Sequence, residues 1–576
     1  MKRFCLLLVV ATGMLLRGDI ASSLPARPRA TGHPVGYTRT WDDWCQSHGK
    51  VWTEQAEKLL PVPVPETPDE WYLEFTRTGE RYHYEKPVKA RQANLLALFR
   101  AECVERKGRF LGKISDYLLA MCDQRSWTLS AHDRRLTNFN RTQLTIDLEV
   151  ALYCRQMSRV LAFLGDRLPP ETVARVRAEI KRHAFDIYLA RSRDPRAPGA
   201  TWFECRNNWN PVCHNGVVQA ALALVEDRVA RAEFVEAAVR ASAFYLEGFT
   251  DDGYCSEGVG YWDFGFEAFL ELALTLRDQT GGEVDLFRNP KVRAILEYGL
   301  GIQIEPGRAP QFSDGEGQPS RAILFMGCLA YPDFVFPRKT LPSQTWFPDA
   351  QVLVSRSAPG GRPLGVAAKG GHNDEHHNHN DVGSYQLFLD GVVMAGDPQP
   401  EIYTSRTFSK DRYVSHVLSS YGHPVPLPAG TRQSPGRRFA GRTVSTSFTG
   451  GRDEFAVDLT AAYDCPSLTS LQRTVVHDRT RREVTVTDRV RFRTPQAFET
   501  PIVTYCAVKD GETAGGFVLE GEAGRRVAVS VEASTGAWLF VDETLDNPGR
   551  KSFLRRAVRF DVPVAEASVT VRYRAE

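Results

Sequence analysis

No two cysteines in this chain have CxxC spacing, which excludes a zinc ribbon and a thioredoxin-type redox motif. Of the 11 cysteines, Cys5 lies in an apolar N-terminal run and the rest are scattered. Several read as small core residues. In an exported chain one or two disulfides are compatible with this spread, and Cys205 and Cys213 are close in sequence. An excess of charge of one sign is also lacking: 72 basic and 70 acidic residues leave a net charge of +2. No bulk field therefore draws the protein to nucleic acid or an anionic membrane, and any basic surface must be local. Beyond the N-terminal run no stretch has the apolar length of a membrane helix, so membrane insertion is not expected. Internal repeats and long low-complexity runs are missing as well.

What is present begins with Lys2 and Arg3, an apolar run from Phe4 to Leu16, and the small residues Ala21-Ser22-Ser23. This run is too short to span a bilayer and has the layout of a secretory signal, expected over residues 1–23 and removed on export. Cys5 is not at a lipobox-like cleavage site, which disfavours a lipid anchor. A secreted or periplasmic protein is expected. At 576 residues, with 42% apolar and 25% charged side chains, the chain is globular and too long for one core.

Apolar residues recur at helical spacing from about Ala90 to Ala330, for example over Leu95-Leu96-Ala97-Leu98-Phe99, residues 146–164 and residues 172–190. Turn signals such as Leu168-Pro169-Pro170 and Asp251-Asp252-Gly253 divide them. Helices without strands imply a bundle, solenoid or toroid over residues 24–335. Four prolines between Tyr331 and Asp349 mark a shift, after which the period becomes two, as in Glu483-Val484-Thr485-Val486-Thr487. An antiparallel all-β domain over residues 346–576 is expected.

Four of the 13 histidines fall within His372–His379, just before the strand-like Gly383–Leu389. Imidazole is the commonest metal ligand and a proton carrier near neutral pH. On an extended segment His377 and His379 would face one side. Asp397, after the next strand, returns near the cluster by a hairpin, and His423 follows. His379, Asp397 and His423 make a two-histidine, one-carboxylate set of the kind one divalent ion, zinc or manganese, accepts. His416 is the rival third ligand. In the helical region, four asparagines crowd Asn207–Asn215, a pattern that also arises wherever amides cap helices and turns. Tyr261 follows Glu257-Gly258-Val259-Gly260, where two glycines leave backbone and phenol accessible; aromatic residues at such positions also serve packing.

Taken in order, Asn207-Asn208-Trp209-Asn210, Glu257-Gly258-Val259-Gly260-Tyr261, His377-Asn378-His379-Asn380-Asp381, Gly396-Asp397-Pro398 and Gly422-His423-Pro424-Val425-Pro426 resemble the heparinase II/III-like superfamily of polysaccharide lyases. Gln311-Phe312-Ser313-Asp314-Gly315 and Trp346-Phe347-Pro348-Asp349 resemble that family's connector between domains. The resemblance runs from about residue 90 to the C-terminus. It implies an incomplete (α/α) toroid followed by an antiparallel β-sandwich. It also implies β-elimination on a uronate polysaccharide, an anionic substrate, with removal of the C5 proton and expulsion of the C4 oxygen. Charge developing on the substrate carboxylate then needs donors in place. By resemblance Asn208 fills that role, with Asn207 the register-shifted alternative; Tyr261 is the catalytic tyrosine and His377 the histidine beside the reacting sugar. His379, Asp397 and His423 match the metal site. Glu257, Arg406 and Arg412 are expected to line the anionic cleft.

In some relatives a histidine follows or replaces the asparagine; here Trp209 follows, and His214 is either a catalytic substitute or a packing residue. The expected substrate is a glycosaminoglycan such as hyaluronan, chondroitin sulfate or heparan sulfate, with alginate second. Two other classes compete: a metal-dependent hydrolase and a non-catalytic polysaccharide-binding protein. Oligomeric state is left unassigned.

Overall fold

The structure, a computed structural model, describes residues 17–34, 36–37, 40–336, 340–357, 363–534 and 536–576. Most of the expected signal segment, with Cys5, and Pro337 of the connector lie outside the described residues. Helices occupy the chain up to Arg321–Ala330, and strands begin at Gln344–Phe347, so the change of period marks a real change of architecture.

The chain packs as two compact units. The first comprises Met1–Gly248, Phe264–Val292 and Phe325–Asp333. Its helices begin where local chemistry dictates. The Asp147 carboxylate accepts the Val150 N–H (2.9 Å) at the start of Leu148–Leu164, and Asp227 accepts that of Ala230 (2.6 Å) before Arg228–Leu246. Pro170 opens Pro170–Ile180, where its missing N–H costs nothing. Helix Trp209–Leu224 is buried on nearly every face. Gly216 lets it lie against the backbone of Leu148–Leu164, since a Cβ there would collide with the Ala151 carbonyl. Trp127, Tyr153, Val217 and Leu272 belong to the core that results.

Glu149, on helix Leu148–Leu164, is 3% exposed, and its Oε1 lacks a hydrogen-bond partner. Burial foremost, then the charge of Asp147, pushes its carboxyl up to about 8. The folded chain therefore binds a proton that the unfolded chain releases near pH ~4.3. Stability from this group is complete below that pH and is lost as pH rises through about 8. Glu149→Gln is expected to flatten the decline and to gain a few kcal/mol over the parent above pH 8, at about 1.4 kcal/mol per pKa unit. Urea unfolding between pH 5 and pH 9 checks this; parallel stability curves for the two proteins would refute it.

The second unit comprises Phe249–Asp263, Arg293–Leu324 and Phe334–Glu576. The segments bearing Tyr261 and Asp314 thus pack with the strands, although they precede them in sequence. One sheet has five strands in the order Gln344–Phe347, Val352–Ser355, Leu364–Lys369, Tyr385–Leu389, Val392–Ala395. A second has eight strands, with Glu483–Gln496 between Val564–Ala575 and Leu468–Asp478 near its middle. A third has four, among them Phe498–Thr504 and Phe553–Phe560. Neighbours are antiparallel, with Val475 opposite Val486 and Val486 opposite Val571. Alternate residues of Glu483–Gln496 are buried, as a half-covered strand requires. Val366 and Leu387 from the first sheet and Val484 and Val571 from the second share one core.

Candidate active site

The site in the second unit is built on two glycines. Gly258 has φ +92°, and a Cβ on it would lie 2.7 Å from the Gly315 Cα and the Phe312 carbonyl. At Gly260 a Cβ would collide with the Glu316 carbonyl. Only glycine lets residues 312–316 lie flush on the turn that leads into helix Val259–Gln279. Ser313, at φ +60°, donates its hydroxyl to the Ser256 carbonyl (3.1 Å) and leads into Asp314.

The histidines enter on the excursion between Leu364–Lys369 and Tyr385–Leu389. Lys369, at the end of the first strand, anchors it: its ammonium donates to Glu375 (2.9 Å) and Asp381 (2.8 Å) in the interior. The expected extended segment is not formed, because His377 has φ +56°, in the left-handed region. The two histidines nevertheless converge, since both reach one carboxylate. His377 Nδ1 is 3.0 Å from Asp314 Oδ2, and His379 Nε2 is 2.9 Å from Asp314 Oδ1.

Around His377 the groups are closely spaced. The Tyr261 ring stacks on the imidazole at 3.9 Å between centroids, 21° from parallel. The Tyr261 hydroxyl is 2.5 Å from that of Tyr403, which is 3.3 Å from His377 Nδ1. Glu257 Oε2 lies 3.7 Å from His377 Nε2. Burial raises the Tyr261 phenol well above its ordinary value; the hydrogen bond with Tyr403 only partly offsets this. Burial, followed by the charge of Asp314, does the same to Tyr403. For Asp314 burial acts upward, but hydrogen bonds from His377 and His379 and the Arg412 charge overcome it. Its carboxyl is held well below the usual carboxylate range.

The second cluster meets behind Asp314. His379, His423 and Asp397 each bring one ligand atom, all within 4.8 Å of one another, and all three residues are buried. His423 Nε2 is 2.8 Å from the Val417 carbonyl, and Ser384 donates to the other Asp397 oxygen (3.0 Å). Each ring thus carries its Nε2–H away from the cluster, so both Nδ1 atoms and Asp397 Oδ1 are the polar atoms left for it. Asp397 Oδ1 is 3.0 Å from His423 Nδ1, a separation that either a proton on the ring or a metal ion would make favourable. A proton on His423 would satisfy those two and leave His379 Nδ1 bare; one divalent ion would satisfy all three. The donor set fits zinc or manganese. His423 rather than His416 joins it; the His416 ring lies against that of Tyr421.

Both arginines expected to meet substrate have carboxylate partners within the chain. Arg412 donates from Nη2 to Asp314 (2.8 Å), from Nε to the Asn378 carbonyl (3.0 Å) and from Nη1 to the Thr407 carbonyl (3.1 Å). Arg406 donates to Glu401 (2.5 Å) and to the Arg412 carbonyl (3.2 Å). Both guanidinium groups thereby hold the strandless excursion after Asp397, because carboxylates within the chain outcompete solvent for them.

Asn207, Asn208 and His214 belong to the first unit. The Asn207 side chain accepts the Trp209 N–H (3.2 Å), a local cap at the start of Trp209–Leu224. Asn208 is 4% exposed, makes no capping bond with its side chain, and lies against Gly265, where a Cβ would come 3.0 Å from its own. His214 is a packing residue. It is wholly buried among Trp202, Phe203 and Tyr188, accepts the Tyr188 hydroxyl at Nδ1 (2.7 Å) and donates from Nε2 to the Phe203 carbonyl (3.1 Å). Burial lowers it to about 4. No disulfide forms among the described residues, Cys205 and Cys213 included.

Asp314 and Tyr403 are the site residues that sequence reasoning missed. Asp314 stood in view within the connector-like Gln311–Gly315; Tyr403 sits in an aperiodic stretch that carries no signal.

No family model and no curated protein matches the chain. Solved structures do. The crystal structure of heparinase III aligns over 97% of this chain and 88% of its own, with a TM-score of 0.69 at 12% identity. The heparan sulfate lyase from Pedobacter heparinus aligns over 97% and 87%, with a TM-score of 0.62 at 13% identity. The fold is that of these proteins. It is a helical (α/α) toroid domain followed by an antiparallel β-sandwich domain, as the sequence led one to expect. Among the described residues no helix is long and apolar enough to cross a membrane.

Proposed function

We propose that the protein is a polysaccharide lyase that cleaves a uronate-containing glycosaminoglycan by β-elimination. The observation that carries this reading is the group Tyr261, Tyr403 and His377, two hydroxyls and an imidazole in continuous hydrogen-bond reach. A C–H beside a carboxylate is a very weak acid, so elimination needs a base at C5, an acid at O4 and neutralisation of the carboxylate. His377 offers the base: with its Nδ1–H directed at Asp314, the neutral ring keeps a lone pair on Nε2. Tyr261, held as the phenol by burial, offers the acid. It gives its proton to O4 as the C4–O bond breaks, while His377 takes the proton from C5 and the electron pair forms the C4–C5 double bond. Tyr403 holds the Tyr261 hydroxyl in place from 2.5 Å; after the product leaves, His377 Nε2 gives its proton to solvent and Tyr261 regains one from it. Asn208 keeps its expected part against the substrate carboxylate on the strength of the sequence resemblance. A divalent ion held by His379, Asp397 and His423 would fasten the histidine loop to the strand end at Asp397 and the segment at His423. Export to the periplasm or beyond completes the proposal and rests on the N-terminal segment.

The burial of all three candidate ligands argues against the hydrolase alternative, in which a metal must keep a position open to water. Incubation with hyaluronan, chondroitin sulfate, heparan sulfate and alginate tests the reading. Ultraviolet absorbance from the conjugated uronate is expected, with products one water lighter than hydrolysis would give. New reducing ends without that absorbance would identify a hydrolase instead.

A further inference from the structure

Among the described residues Asp314 is the side chain that touches both clusters. Its side chain is fully buried, and its two oxygens are divided: Oδ1 faces His379 Nε2 at 2.9 Å, while Oδ2 faces His377 Nδ1 at 3.0 Å and receives Arg412 Nη2 at 2.8 Å. An ionised carboxylate only accepts hydrogen bonds, so each histidine must present an N–H to it. That condition has opposite consequences for the two rings. His377 must carry its proton on Nδ1, leaving Nε2 bare; His379 must carry it on Nε2, leaving Nδ1 bare. The bare Nδ1 of His379 is the ring nitrogen left for the cluster with His423 and Asp397. The bare Nε2 of His377 is the atom on the Glu257 side.

We infer that Asp314 is a positioning residue whose single carboxylate fixes opposite tautomers on His377 and His379, preparing one as a base and the other as a metal ligand. Arg412 holds that carboxylate ionised and oriented; its other two donors on Asn378 and Thr407 tie it to the histidine loop and to the excursion after Asp397. An amide at position 314 could accept from one histidine but would turn an N–H toward the other or toward Arg412. Both rings would then lose their fixed orientation. The metal half rests on the residues alone, and the base half rests on the function proposed above.

The test uses Asp314→Asn in the full-length protein, with two readouts that need no turnover. Zinc titration by calorimetry is expected to show affinity about 10–100-fold weaker than in the parent, the range for losing a partner of a ligating histidine. Nitrogen-15 spectra of histidine-labelled protein, with the His377 signal identified through His377→Gln, are expected to show an Nδ1–H tautomer in the parent. In the variant that signal should become a tautomer average. The unfolding transition of the variant confirms that it folds; if it does not, Asp314→Glu replaces it, and its longer side chain, unable to set one oxygen on each ring as Asp314 does, is expected to weaken zinc binding in the same direction. Unchanged zinc affinity, an unchanged His377 tautomer, or a parent that binds no zinc would each overturn the inference. Failure of the parent to cleave any uronate polymer would instead overturn the proposed function and leave both readouts standing.

Discussion

Tyr261→Phe is expected to lower kcat on the preferred uronate polymer by about 10²–10⁴-fold, the range for losing a positioned proton donor, with KM within a few-fold of the parent. The substitution removes one oxygen and little else. The ring remains to stack on His377 at 3.9 Å, and helix Val259–Gln279 begins as before, because the two glycines and not the phenol set its entry. The lost hydroxyl is the one atom in the described site that meets Tyr403 at 2.5 Å and, in the proposed reaction, would protonate O4. A tyrosine that only packed would show the opposite pattern, with turnover retained and stability changed. Initial rates by ultraviolet absorbance, alongside polysaccharide binding and thermal unfolding of the same preparation, separate these cases. Near-normal turnover in the variant would remove Tyr261 from the reaction and with it the proposed division of labour.

Much of the architecture was legible because it is written in periodicity. The change from helical spacing to alternation near Tyr331–Asp349 falls where helices give way to strands, and buried positions in Glu483–Gln496 alternate as the pattern requires. The histidine cluster was legible for a different reason: imidazoles at that density have few structural uses. Resemblance supplied the order of motifs, and the two glycines before Tyr261 then received a physical reason, the close approach of residues 312–316. What sequence could not disclose was partnership over long separations. Asp314 is 63 residues from His377 and Tyr403 is 142 from Tyr261, and nothing in the spacing announces either contact. The same blindness hid the partners of Arg406 and Arg412, which find Glu401 and Asp314 within the chain. His214 sits near the asparagines in sequence, yet Tyr188 and the Phe203 carbonyl occupy both of its nitrogens. The left-handed turn at His377 could not be read from its neighbours either, since non-glycine residues adopt it rarely and without a fixed signature.

Lys369→Met is expected to destabilise the folded protein by about 3–5 kcal/mol, the usual result of removing one member from a buried ion group. The ammonium is 1% exposed, and its partners Glu375 and Asp381 are 7% and 0% exposed. Burial alone would lower the Lys369 pKa, but Asp381 and Glu375 overcome that and hold it above its ordinary value, so the charge persists in the interior. Removing it leaves two buried carboxylates facing each other, one of them also near His379 and His423. The backbone magnifies the effect, because Lys369 closes the base of the histidine excursion, its N–H on the Ser384 carbonyl (2.9 Å) and its carbonyl receiving the Gly383 N–H (3.0 Å). A loop released there carries both histidines with it, so zinc affinity should fall together with stability. The triple variant Lys369→Met, Glu375→Gln, Asp381→Asn separates charge from packing. If uncompensated carboxylates dominate, the two amides recover most of the lost stability; if the lysine acts chiefly by filling space, the triple variant is no better than the single one. An unchanged urea midpoint in Lys369→Met would show that the loop is held by its backbone bonds alone.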